Sequence, residues 1–148
     1  MANSKRLSEL TSQFSDNALD ATQAWSKHIT DESELDGLPD SAKAGAADRA
    51  KADEKDGWLL TLDAPVFIAV MSHCKNAELR KEMYTAWTTK ASDQGPQAGQ
   101  FDNAAIMDEI LALRHKQAQL LGFANYAEES LATKMARDVN EVVQFLED

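Results

Sequence analysis

Cysteine is nearly absent: Cys74 is the only one in 148 residues, so no internal disulfide can form. A lone thiol fits a reducing, cytoplasmic setting, where disulfides are rare. Proline and glycine are also sparse, at three and six residues, which leaves long stretches free to be helical. Long apolar runs are missing as well. The longest, Trp58 to Leu62 and Val66 to Met71, fall far short of the roughly 20 residues that span a bilayer, so no membrane partner is expected. Ser4 to Gln13 is polar where a secretory leader needs an apolar core. Positive charge is outweighed, and the formal net charge is −10. Nucleic acid and anionic lipid would both be repelled, and neither is an expected partner. What is present is a globular balance of 43% hydrophobic and 27% charged residues, in a length typical of one domain. Residues 1–148 therefore read as a single helical domain or subdomain, mainly α, with several antiparallel-packed helices and a minor two-stranded β element.

The most strongly marked segment runs from Phe101 to Tyr126. Asp102 or Asn103 can cap its first turn, and Gly122 follows its last periodic residue. Between them Ile106, Met107, Ile110, Leu111, Leu113, Ala118, Leu120 and Leu121 recur at three-and-four spacing, a face that burial must cover. Asn125 with Glu128 then forms a capping signature, and the helix it starts is expected to reach Met135, with Leu131 and Met135 inward. Asp138 with Glu141 repeats the signature ahead of Val142, Val143, Phe145 and Leu146, and no cap follows before Asp148, which reads as an artificial or processed end.

Earlier in the chain, Leu7, Leu10, Phe14, Ala18, Ala21 and Trp25 draw one long amphipathic helix, which needs a partner surface or, alternatively, a coiled-coil mate. Asp40 to Lys55 is rich in alanine and charge and is expected to be a surface helix ended by Gly57. Trp58 to Leu62 is the best strand, with a short extended piece near His28 as its partner. Asp63 and Asn76 are placed to cap two further helices. The first has Pro65 in its opening turn, buries Val66, Phe67, Val70 and Met71, and ends near Lys75. The second buries Leu79, Met83, Ala86 and Trp87, with Arg80 and Glu82 outward.

Candidate chemistry is thin. The acidic loop with Glu32, Glu34, Asp36, Gly37 and Asp40 mimics a calcium loop, but the bidentate Glu position falls on Lys43, the first position is not Asp, and Pro39 interrupts it. His28, His73 and His115 are far apart in sequence, and adjacent His73 and Cys74 point about 100° apart on a helix, which disfavours a nucleophile pair. His115 fits an ion pair with Asp108 or a surface hydrogen bond. The loop from Ser92 to Gln100 lacks both the preceding strand and the Lys of a phosphate loop. Trp25, Trp58 and Trp87 read as core or interface anchors rather than a substrate cage. No residue is assigned a catalytic, cofactor-binding or metal-binding role.

The run Glu109 to His115, "Glu-Ile-Leu-Ala-Leu-Arg-His", followed by "Gln-Leu-Leu-Gly-Phe-Ala-Asn-Tyr-Ala-Glu" from Gln119, resembles the thimet-oligopeptidase family of zinc endopeptidases. So do "Phe-Ser-Asp-Asn-Ala-Leu-Asp-Ala-Thr" from Phe14, "Glu-Leu-Asp-Gly-Leu-Pro" from Glu34, "Gly-Trp-Leu-Leu-Thr-Leu-Asp-Ala-Pro" from Gly57 and "Ala-Ser-Asp-Gln-Gly-Pro" from Ala91, all in family order. The family's H-E-x-x-H zinc motif does not occur here; in the family it lies far downstream. The resemblance implies an internal, non-catalytic fragment of a larger peptidase, inactive by itself and binding no zinc. The parent would hydrolyse short peptides with zinc in a channel between two helical lobes. The remainder of the same polypeptide would be this segment's partner, and the segment itself scaffold and channel wall. The competing expectation is a free-standing helical protein-interaction module.

Overall fold

The computed structural model describes residues 2–147. Among them are seven α-helices and one two-stranded antiparallel sheet, the mainly α fold that the periodicity predicts. Packing divides the chain into two compact units, one formed by the residues up to Phe14 with those from Ala104 onward, the other by Ser15–Asn103.

The larger unit holds the principal core. Helix α1 (Ala2–Ala24) delivers its second half here, and Trp25 follows it into the core. Strand β1 (Ser26–Ile29) pairs with β2 (Trp58–Thr61), with Ser26 opposite Thr61 and Ile29 opposite Trp58. The pair is no tight hairpin, because a 3-10 turn (Glu32–Leu35) and helix α2 (Asp40–Ala52) intervene. Helix α2 packs along β2 through a line of alanines: Ala46 and Ala50 are fully buried, while most of its other residues stay open to solvent. Small side chains let helix and strand approach closely, so a helix that reads as superficial is tightly seated.

That helix stops at Ala52, short of the Lys55 and Gly57 expected from composition. The Lys55 N–H closes on the Ala50 carbonyl with Glu54 at φ +56°, so a glutamate takes the left-handed position usually given to glycine. Gly57 serves the sheet instead. At φ +85° its backbone lies so close to the Ile29 carbonyl that a Cβ would sit 2.3 Å from that oxygen.

Helix α3 (Ala64–His73) and helix α4 (Ala77–Thr88) complete this unit. Leu35, Leu60, Leu62, Val70, Leu79 and Met83 form its centre, with Phe67 stacked on Trp87 at 4.3 Å between ring centroids. Asn76 caps α4 by accepting from the Glu78 and Leu79 N–H groups. Asp63 does not cap α3 through its side chain; the carboxylate accepts from the Thr61 hydroxyl at 2.8 Å. Arg80 also departs from expectation: it is half-buried and donates to the Cys74 carbonyl, whereas Glu82 is exposed and pairs with Lys27 at 2.9 Å.

In the second unit the first half of α1 lies antiparallel to helix α5 (Ala104–Leu120). Asn3 donates to the Leu113 carbonyl, the Arg6 guanidinium grips both Glu109 oxygens at 2.6 and 2.7 Å, and Leu10 packs on Ile106 and Ile110. Gly122, at φ +86°, lets the Phe123 N–H return to the Ala118 carbonyl and close α5. Helix α6 (Tyr126–Leu131) is shorter than expected. Leu131 is only half-buried, and Met135 lies beyond the helix, fully exposed rather than inward. Helix α7 (Val139–Glu147) follows, and both capping signatures are present: Asn125 accepts from the Glu128 N–H and Asp138 from the Glu141 N–H. In each, the reciprocal bond comes from one residue earlier than the cap, Ala124 to Glu128 and Arg137 to Glu141. The apolar face of α5 is only partly covered: Ile106, Ile110 and Ala118 are buried, but Met107, Leu111, Leu120 and Leu121 are exposed.

Candidate functional site

The acidic loop is a structural turn. Asp31 opens the 3-10 turn by accepting from the Ser33 N–H, and that bond holds its carboxyl below the usual range. Lys43, at the position where a calcium loop needs a bidentate carboxylate, forms an ion pair with Glu32 at 3.1 Å, the residue at the first ligand position. Asp36 is engaged by Lys75, through its carbonyl at 2.8 Å and its carboxylate at 3.3 Å. A cation site would have to displace two lysines, and the loop instead clamps the corner between α3 and α4.

The three histidines lie on different elements. His28 lies on β1 and bonds the Asp56 carbonyl, across the turn that leads into β2. His73 ends α3 with an exposed ring. His115 is exposed on α5 and makes no ion pair with Asp108 among the described residues. Cys74, next to His73, is buried, and its thiol donates to the Glu34 carbonyl at 3.5 Å. Thiol and imidazole thus face opposite environments, which leaves Cys74 a packing residue. Among the described residues no group of three or more His, Cys, Asp or Glu could hold a metal ion. The described residues therefore offer no ready set of the three or four such ligands that a zinc centre gathers on one ion.

The concavities carry little chemistry either. A groove of about 430 Å³ between α2 and α3 is floored by Leu60, Ala69 and Val70, with Arg49 and His73 at its walls. Arg49 is engaged with the Leu59 carbonyl at 3.2 Å. Neither a nucleophile with its base nor a pair of carboxylates lines it. Trp25 is buried in the principal core, and Trp58 and Trp87 are half-buried against it. Trp87 also carries Lys90 over its ring at 3.8 Å. The loop ahead of α5 folds on itself, with the Gly99 N–H donating to the Ser92 carbonyl at 3.1 Å.

Residues 70–148, just over half of the chain, match the family model described as Peptidase family M3. The chain belongs to peptidase family M3. It is 60% identical over 143 residues to oligopeptidase A of Salmonella typhimurium and 59% identical to that of Escherichia coli, in each case over 97% of this chain and 21% of the relative. A protein named probable cytosolic oligopeptidase A from Arabidopsis thaliana is 46% identical over 89% of the chain and 19% of its own length. The chain thus spans about a fifth of the length of the M3 relatives it matches. The sequence places its resemblance in the right family. No helix among the described residues is long and apolar enough to cross a membrane.

Proposed function

We propose that this chain is a helical scaffold segment of a cytoplasmic M3 oligopeptidase, one that hydrolyses short peptides with a zinc-activated water held by residues outside the segment. One observation carries this reading: 97% of the chain aligns at 60% identity with 21% of an oligopeptidase A. The segment contributes wall and support to the substrate channel, positions no reacting atom, and is inactive alone. Its partners are the remainder of the same polypeptide and, through it, short peptides. The open apolar faces of α5 and α7 favour a second reading, a free-standing interaction module.

A polypeptide continued past Asp148 to the length of the relatives distinguishes the two. The peptidase reading expects chelator-sensitive cleavage of short peptides to arise once an H-E-x-x-H sequence is included. A reading frame that ends at Asp148, with no such sequence beyond it, contradicts that reading and leaves the module.

A further inference from the structure

Exposed apolar side chains are concentrated in one unit. Met107, Leu111, Leu120, Leu121, Phe145 and Leu146 all lie in the smaller unit, whose buried cluster is only Leu10, Ile106 and Ile110. The reason is geometric. The apolar arc of α5 is too broad for one neighbour. Helix α1 covers the side bearing Ile106, Ile110 and Leu113, pinned by Asn3 and Arg6, and the side bearing Met107 and Leu111 is left open. Between the two helices lies a groove of about 320 Å³ lined by Thr11, Phe14, Met107, Ile110, Leu111 and Arg114. Arg114 stands at its rim with its guanidinium 4.8 Å from the centre of the Tyr126 ring, and it has no carboxylate partner among the described residues.

We propose that this α1–α5 groove seats an amphipathic helix from the remainder of a relative-length polypeptide, with apolar side chains on Met107 and Leu111 and a carboxylate on Arg114. The inference rests on the peptidase reading and adds the surface through which the segment joins the remainder. Two facts select this occupant. About four-fifths of the relatives' length lies outside the part matched here, enough to supply the missing cover. A second copy is disfavoured, because a net charge of −10 makes like molecules repel. An apolar stripe three and four residues apart beside one cationic side chain is the pattern that a helix with matching stripe and acid fits.

The test introduces a thiol by Leu111→Cys and follows its alkylation in the 148-residue chain and in the relative-length polypeptide. Leu111 is 63% exposed, so the substitution leaves the short chain folded, and buried Cys74 reports any unfolding. Alkylation about tenfold slower in the long polypeptide is expected. Arg114→Glu in the long polypeptide should restore much of the rate. Equal rates in short and long chains overturn the proposal, and so does protection that appears in the short chain as its concentration rises, which assigns the groove to a second copy. Peptide turnover is measured on the same long preparation: turnover with an unprotected thiol rejects the groove alone, and absence of turnover rejects the peptidase reading.

Discussion

Gly57 shows how one residue ties two distant segments. Its φ of +85° and its approach to the Ile29 carbonyl leave no room for a side chain. Gly57→Ala is expected to cost about 1–3 kcal/mol, since the strain and the clash both fall on the β1–β2 pair. Gly122→Ala has open space around it and should cost only about 1 kcal/mol from its φ of +86°. Urea unfolding of both variants checks the order. The two nominal caps differ in the same way. Asn76→Ala removes two bonds to backbone N–H groups and should lose about 0.5–2 kcal/mol, whereas Asp63→Ala removes only a bond from Thr61 and should lose less. A carboxylate beside Arg6 adds a pH dependence. The Arg6 hydrogen bonds hold the Glu109 carboxyl below its ordinary value, so the folded state releases this proton more readily than the unfolded chain. That stabilisation is present above the ordinary Glu range and is lost as pH falls through the lowered folded value. The Tm difference between the natural chain and Glu109→Gln should therefore be largest near neutrality and vanish in acid. A difference independent of pH contradicts the assignment.

At the level of elements, periodicity shows where helices are and which side is apolar. Helix α5, the long helix α1 and the β2 strand all stand close to where spacing puts them. It does not show how much of an apolar side is covered, because that depends on a neighbour the spacing does not contain. Met107 and Leu111 repeat as regularly as Ile106 and Ile110, yet only the latter pair meets Leu10. Helix ends set by side-chain caps were legible, as at Asn76, Asn125 and Asp138. The end of α2 was hidden because Glu54, a residue with no left-handed preference, closes it. Met135 was misplaced because its spacing continues a helix that stops at Leu131. A pair of truncations tests the uneven cover of α5. Leu10→Ala should destabilise by about 2–5 kcal/mol through the cavity it leaves, while Leu111→Ala should stay within about 0.5 kcal/mol in this chain. Comparable losses at both positions would mean that the open side is already packed.

For the molecule as a whole, the candidate side chains were legible in the sequence, but their surroundings were not. His28, His73 and His115, widely separated in sequence, lie on β1, at the end of α3 and on α5. What the sequence hid is the use of the acidic loop, where Glu32 and Asp36 are paired with Lys43 and Lys75 from two other segments. The chain belongs to family M3 and spans about a fifth of its relatives' length, and the proposed function puts the chemistry in the remaining four-fifths. The most direct measurement is the zinc content of the purified 148-residue chain together with its hydrolysis of a short quenched fluorescent peptide, before and after treatment with a chelator. The account predicts substoichiometric zinc and no chelator-sensitive turnover. One equivalent of zinc per chain, with turnover that the chelator abolishes and zinc restores, would contradict it.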